Sequence, residues 1–331
     1  MKHGGDLTEA IARYGGTPQM WLDLSTGVNP WAWPLPAELP DDVWQRLPSR
    51  AAEQALVAAA REAYSIPAGA GVVAAPGTQS LIQWLPQLAG RGPVAIVEPT
   101  YNEHAQAWRM AGHEVIAVSD LDELPQTVCH AVVVNPNNPD GRVTSRSALA
   151  RAAERLRERG GWLVIDEAFA DLQPEIGAAG LSVDRPAIVL RSFGKFYGLA
   201  GLRLGFAIAH PEIANRIALA LGPWPCSGPA LTIGTAALRD HAWAQRMREK
   251  IQHQARKLDV VLAASGFTIA GGTGLFRLAQ RPDANAVHAL LATHYIWCRC
   301  FEWADDLLRF GLPPHVRDLD RLAAALSSLD T

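Results

Sequence analysis

The chain has 331 residues, 49% of them hydrophobic and 19% charged, with a formal net charge of −3. That balance excludes a disordered chain, and the near-neutral charge gives no electrostatic reason to expect a nucleic-acid partner. The length suits one large domain and a smaller one, placed here as an N-terminal segment 1–45, a large domain 46–223 and a C-terminal module 224–331.

Cys129, Cys226, Cys298 and Cys300 show neither zinc-ligand spacing nor a C-x-x-C pair, so no metal and no disulfide framework are expected. A reducing, cytoplasmic setting follows. The opening Met1-Lys2-His3-Gly4-Gly5-Asp6 lacks the apolar core of a signal peptide, and no apolar run is long enough to span a bilayer. No membrane partner is expected.

In chain order, a short helix is predicted over Thr8 to Arg13 and a strand over Trp21 to Leu24, followed by the turn Ser25-Thr26-Gly27-Val28-Asn29-Pro30. Trp31 and Trp33 then read as anchors in a proline-rich linker. Ser49 caps an alanine-rich helix to Tyr64. From there strands and helices alternate. Strands are predicted at Gly71 to Pro76, Pro93 to Glu98, Glu114 to Val118, His130 to Val134 and Gly161 to Asp166, with Ala187 to Leu190 and Leu204 to Ala209 beyond them. Helices are predicted from Gly77 to about Ala89, from Thr100 to Gly112 and from Ser145 to Arg159. The strands are short and apolar on both faces, which implies a largely parallel sheet wrapped by helices: an α/β fold.

After Pro223 a long, mostly polar helix is predicted from Pro229 to Ala264, broken near Asp240. Strands follow at Gly266 to Ala270, Leu275 to Leu278, Ile296 to Phe301 and Leu307 to Gly311. One helix lies between the second and third of these, and another follows His315. Together they read as an α+β module.

The chemistry centres on Ser192-Phe193-Gly194-Lys195, with Arg203 eight residues beyond the lysine. A lysine between two buried strands is costly unless it has covalent or electrostatic work to do. A pyridoxal phosphate (PLP) site needs four things: a lysine for the Schiff base, an acid facing the pyridine nitrogen, a phosphate cup and a carboxylate clamp. Lys195 is the candidate lysine. Gly77-Thr78-Gln79 opens a helix, whose free amides bind phosphate, and Ser192 and Arg203 can add a hydroxyl and a cation. An ordinary strand-to-helix turn has the same look.

Asp166 ends a buried strand at the sheet edge where open α/β folds bind ligands, although a helix-capping aspartate would sit there too. Asn138, before Pro139, is placed to meet the ring oxygen or merely to make a turn. Tyr101 is placed to stack on the ring or simply to pack. Arg309 and Arg299, each flanked by apolar residues on a strand, fit a carboxylate fork as well as a surface charge.

Together these residues resemble fold-type I PLP enzymes of the aminotransferase class I/II superfamily. The match lies in Asn138-Pro139-x-Gly141, Asp166-Glu167-Ala168-Phe169, Ser192-Phe193-Gly194-Lys195, Gly201-Leu202-Arg203-Leu204-Gly205 and Leu308-Arg309-Phe310, in order and spacing over nearly the whole chain. The resemblance implies a large domain with a mostly parallel sheet, a small α+β domain, and a homodimer with the active site at its interface. It makes Lys195 the Schiff-base lysine and Asp166 the partner of the ring nitrogen. It gives Asn138 the ring oxygen and the substrate beside it, and Tyr101 the ring face. Gly77, Thr78, Gln79, Ser192 and Arg203 receive the phosphate, and Arg309 the substrate carboxylate.

Within that class His3-Gly4-Gly5 and the Ser25 to Pro30 loop are similar to a branch that decarboxylates threonine phosphate on the way to cobalamin, beside the histidinol-phosphate aminotransferases. This implies a phosphorylated amino-acid substrate met by His3, Gly27, Asn29 and Arg299, and decarboxylation as the reaction. Transamination of histidinol phosphate or an aromatic amino acid is the alternative. Two positions depart from the pattern: Phe169 stands where many relatives carry tyrosine, and Leu47 where a tyrosine from the neighbouring subunit is common.

Overall fold

The computed structural model describes residues 4–327. In chain order the helices are α1 (Thr8–Tyr14), α2 (Asp41–Gln45), α3 (Arg50–Ala63), α4 (Thr78–Leu88), α5 (Glu103–Met110), α6 (Arg146–Arg157), α7 (Phe193–Phe196), α8 (Pro211–Leu221), α9 (Gly228–Arg239), α10 (His241–Ala264), α11 (Ala284–Thr293) and α12 (Val316–Ser327). The strands are β1 (Leu22–Asp23), β2 (Gly71–Ala75), β3 (Val94–Val97), β4 (Val115–Val118), β5 (His130–Val134), β6 (Leu163–Asp166), β7 (Ala187–Ser192), β8 (Gly205–Ala209), β9 (Thr268–Thr273), β10 (Phe276–Gln280), β11 (Ile296–Trp297), β12 (Arg299–Phe301) and β13 (Ala304–Gly311).

Two compact units divide the chain. One holds Trp33–Asn138 and Arg142–Trp243; the other holds Met1–Ala32, Pro139–Gly141 and Ala244–Thr331.

The first unit is built on a seven-stranded sheet in the order β2-β8-β7-β6-β5-β3-β4. Every neighbouring pair is parallel except the two that involve β8, so β8 alone is reversed. The alternation of Cβ direction along each strand sends Val189, Ile165 and Val133 to one face, against Leu149 and Leu156 of α6. It sends Ile188, Val164 and Val132 to the other, against Leu81 and Leu85 of α4, Trp108 of α5 and Ile217 of α8. Both faces are covered, which is why the strand sequences read as continuous apolar runs.

Reversal of β8 has a consequence for the site. Its first residue, Gly205, lies at the edge where β6 and β7 end. Gly205 pairs with Ser192 on one side and with Ala75 on the other.

In the second unit β12-β13-β10-β9 form an antiparallel sheet, and β1 pairs in parallel with β11. Asp140 joins this unit by accepting a hydrogen bond at its carbonyl from the Gly272 amide, 2.7 Å.

Four local expectations are corrected. Ile296 to Phe301 is two strands rather than one: Ile296 and Trp297 pair with Leu22 and Asp23, whereas Arg299 to Phe301 pair with β13. The helix predicted from Thr100 starts at Glu103, so Tyr101 lies in the turn ahead of it. The helix predicted as long and mostly polar breaks at Asp240 as expected, but its first part, α9, buries Ala230, Leu231, Ile233, Ala237 and Leu238. The fourth, α8, was missed. Its signals are Pro211 in the first turn and Gly222 just past the end.

Among the described residues no helix is long and apolar enough to cross a membrane, and no cluster of His, Cys, Asp and Glu could hold a metal.

Candidate active site

At the carboxyl edge of the seven-stranded sheet, Gly77 caps α4 with a φ of 81°, a conformation that side chains other than hydrogen rarely adopt. A Cβ on Gly77 would stand 2.9 Å from Nη2 of Arg203. Arg203 itself is left-handed, φ 53° and ψ 62°, which is unusual for a residue with a side chain. Its Nη1 donates to the carbonyl of Ala200 at 3.1 Å. The guanidinium is thereby aimed across the N-terminus of α4.

Gly205 closes the same space from below: a Cβ there would come within 2.6 Å of the Thr78 amide nitrogen. Ser192, paired with Gly205, supplies a hydroxyl at the end of β7. A free helix N-terminus, a guanidinium and a hydroxyl therefore converge on a cradle that any Cβ would fill. These groups fit a phosphate monoester.

Gln79 is held by its side chain. Its Nε2 donates to Glu103 Oε2 at 3.0 Å, and its Oε1 accepts from the Tyr101 hydroxyl at 3.2 Å. Tyr101 is consequently fixed ahead of α5. Burial, the charge of Glu103 and that of Asp166 push its phenol up to about 12, with Arg203 pulling the other way. The ring remains a neutral phenol in the working range.

Asp166 is 3% exposed at the end of β6. Its Oδ1 accepts the Ala168 amide at 3.0 Å, and its Oδ2 lies 2.9 Å from Nε2 of the equally buried His104. His104 was not singled out from sequence, because a lone histidine in a helix carries no motif. Its signal lies only in the fold, where α5 faces the end of β6. Tyr101 meets the His104 ring edge-on, with centroids 6.2 Å apart.

Asn137 ties two strand-end loops together: it donates to the Pro99 carbonyl at 2.9 Å and accepts from the Thr100 hydroxyl at 2.6 Å. The half-buried Asn138 follows it directly. Lys195 sits in α7, one short turn past Ser192, with Nζ 5.9 Å from the centre of the Phe169 ring. Phe193 and Tyr197 flank it as a stacked pair with centroids 4.5 Å apart.

Gly77, Thr78, Gln79, Tyr101, Asn138, Asp166, Ser192, Lys195 and Arg203 all belong to this one unit. Gly27, Asn29, Arg299 and Arg309 belong to the other. There Arg299 and Arg309 stand directly opposite each other on β12 and β13. Like charges in that position repel. Burial, with Arg299 adding to it, pushes the Arg309 guanidinium down to about 10, still a cation at neutral pH. Its Nη2 donates to the Ser25 carbonyl at 2.7 Å, which brings the Ser25–Pro30 loop to it.

The loop is braced in turn. Asp23 Oδ1 accepts from the Ser25 amide and hydroxyl, and the Gly5 amide donates to Ser25 Oγ at 2.8 Å. Asn29 is 2% exposed, and its Oδ1 accepts the Trp31 amide at 3.0 Å, the bond of an Asx turn. His3 lies outside the described residues.

Comparison with known proteins places these observations in context. The family model for aminotransferase class I and II matches residues 45–326. A threonine-phosphate decarboxylase from Sinorhizobium sp is 44% identical over 330 residues, covering 99% of this chain and 98% of that protein. One from Pseudomonas aeruginosa is 42% identical, covering 98% and 97%. Among solved structures, histidinol-phosphate aminotransferase from Clostridium acetobutylicum superposes with a TM-score of 0.81 at 19% identity, covering 93% of this chain and 98% of that one. Histidinol-phosphate aminotransferase from Sinorhizobium meliloti, in complex with pyridoxal-5'-phosphate, gives 0.75 at 22% identity, covering 87% and 84%.

Proposed function

Because the chain belongs to the aminotransferase class I and II family, we propose that it is a PLP-dependent decarboxylase. Its substrate is L-threonine O-3-phosphate, and its products are carbon dioxide and (R)-1-amino-2-propanol O-2-phosphate. The geometric observation that carries the reading is the pair Arg299 and Arg309, set opposite each other across β12 and β13. Two cations held so close suit a ligand with two anionic groups, here a carboxylate and a phosphate. The choice of decarboxylation over transamination is supported by the near-full-length likeness to the two decarboxylases named above.

The residues of the first unit fit the cofactor. The Thr78 amide, Ser192 and Arg203 hold its phosphate, and the small cradle left by Gly77 and Gly205 admits it. Asp166 holds a proton at the ring nitrogen, and His104 orients that carboxylate. Tyr101 and Asn138 hold the ring. Phe169 lacks a hydroxyl, so the ring oxygen is left to Asn138. When bound, the cofactor supplies an electron sink for the pair released at the substrate Cα.

Lys195 would hold the cofactor through Nζ; displaced from it by the substrate amine, its ammonium would give Cα the proton that replaces the departed carboxylate. Arg309 orients the carboxylate that leaves, and Arg299 takes the phosphate, with His3, Gly27 and Asn29 assigned beside it. Since the Asn29 side-chain oxygen serves a turn, its contribution comes from the amide group or from shaping the loop.

A homodimer is supported by Trp44, Leu47 and Trp224, which expose 66%, 67% and 51% of their surface on the first unit. A cytoplasmic place is consistent with four free cysteines, and a role in cobalamin synthesis rests on the proposed decarboxylation of threonine phosphate.

The test is incubation of the PLP-loaded protein with threonine phosphate and no oxo-acid acceptor, following carbon dioxide and amine together. Equimolar release supports the reading. Turnover that requires 2-oxoglutarate and yields glutamate would replace it with transamination. Lys195→Ala is expected to lower kcat at least 10³-fold; retained turnover would refute the role of the lysine.

A further inference from the structure

Three buried ionisable groups take no part in the chemistry above. Arg191, Glu167 and Asp171 are 5%, 1% and 4% exposed. Arg191 immediately precedes Ser192 on β7, and Glu167 immediately follows Asp166 at the end of β6. Arg191 Nη1 donates to Glu167 Oε2 at 2.9 Å, and Nη2 lies 3.2 Å from Asp171 Oδ1. Its guanidinium carbon stands 4.3 Å from the centre of the Tyr64 ring. Glu167 Oε1 accepts the Ala178 amide at 2.6 Å, and the Glu167 amide donates to the Leu190 carbonyl at 2.9 Å.

An ion cluster of this kind is a poor way to gain stability. Desolvating three charges is costly, and apolar replacements of similar volume are often as stable or more so. Burial pushes the Glu167 carboxyl up while the Arg191 charge pulls it down, so the two partners depend on each other. What the cluster does achieve is geometric. Successive residues on a strand point to opposite faces, so Arg191 grips from the far side of the sheet while Ser192 faces the site. One arm donates a hydrogen bond to Glu167 and the other pairs with Asp171, so the guanidinium reaches both ends of the turn 167–171. That turn has Asp166 at its head and carries Phe169, whose ring lies under Lys195.

We propose that Arg191 is a positioning residue for the cofactor: by holding Glu167 and Asp171 at once, it fixes the spacing of Asp166 and Phe169 against Ser192 and Lys195. The proposal rests on PLP being the ligand of this site. Arg191 touches neither the cofactor nor the substrate. It acts by setting where the ring-nitrogen carboxylate stands relative to the lysine, a placement that needs to hold to about 0.5 Å.

The experiment uses the full-length protein and four variants: Arg191→Met, Arg191→Lys, Asp171→Asn, and Leu156→Ala as a control. Leu156 is fully buried in the core on the same face of the sheet and has no path to the site other than packing. For each variant three readouts are taken: the dissociation constant of PLP by fluorescence, the pH midpoint of the bound cofactor's absorbance, and the melting temperature without PLP.

The expected result is a PLP dissociation constant raised about tenfold or more in Arg191→Met, with a displaced absorbance midpoint. Arg191→Lys and Asp171→Asn are expected to fall between it and the parent. Leu156→Ala is expected to lose melting temperature while keeping both cofactor readouts. If Arg191→Met does not fold, Asp171→Asn and Arg191→Lys carry the comparison. Variants that lose melting temperature yet bind PLP with the parent's affinity and midpoint would overturn the proposal and leave the cluster structural. Failure of the parent itself to bind PLP would instead sink the cofactor reading, and the proposal with it.

Discussion

At the scale of single residues, the arginine pair on β12 and β13 separates what is good for binding from what is good for folding. Arg309 is 8% exposed, and its cation is made more costly by Arg299 opposite. Arg299→Met removes the repulsion while leaving the strand pairing intact. The ligand-free protein should melt slightly higher, on the order of 1 °C. KM for threonine phosphate should rise about tenfold or more, since a charge-assisted bond to an anion is lost. Calorimetry and steady-state kinetics on one preparation check both halves; a lower melting temperature would show that the two guanidiniums do not oppose each other.

Some of the site was legible at this scale. Lys195, Asp166 and Arg203 stood out because glycines and strand ends surround them. The facing of Arg299 and Arg309 did not, because it depends on a register set by irregular pairing between Cys300 and Phe301. His104 and the Arg191 cluster were invisible for another reason: their partners are distant in sequence and are fixed only by tertiary packing.

At the scale of elements, the break between α9 and α10 is held by one side chain. Asp240 Oδ1 accepts the Trp243 amide at 2.9 Å, and Oδ2 accepts the Trp33 indole at 3.2 Å. Trp243 then stacks on Tyr197 at 5.5 Å, and Trp33 donates its amide to the Tyr197 carbonyl. Asp240→Ala removes both acceptors and should cost about 1–3 kcal/mol of unfolding free energy. The denaturation midpoint should shift without a change in slope. An unchanged midpoint would mean that solvent replaces both bonds.

The break itself could be read from the sequence, as could the strand–helix alternation, because apolar runs bounded by turn residues survive any tertiary context. The split of Ile296 to Phe301 could not. Its two halves have equal strand propensity, and what divides them is the choice of partner, β1 for one and β13 for the other. The apolar face of α9 is masked in the sequence by the polar helix that follows it without a proline or glycine between them.

For the whole molecule, the cradle at the sheet edge links cofactor binding to stability. A ligand that binds only the folded state stabilises it by about 2.7 kcal/mol when present at a hundred times its dissociation constant. Removing PLP should therefore lower the melting temperature by several degrees, and adding it back should restore it in a concentration-dependent way. Thermal melts of the stripped and reloaded protein measure this. Equal melting temperatures at saturating PLP would show that the cradle does not receive it. The α/β architecture was the most legible feature of all, whereas the reversed direction of β8 left no trace in its apolar sequence.

That reversal also imposes an order of events on synthesis. The cradle joins Gly77 to Arg203 and Gly205, positions about 130 residues apart in the chain. A ribosome will have released the α4 end long before the arginine exists, and contacts that distant in sequence form late because the intervening loop must first be closed. Lys195 is made before the strand that completes its surroundings. The cradle is therefore complete only once β8 has paired with β2 and β7, which makes that pairing the step on which cofactor capture waits.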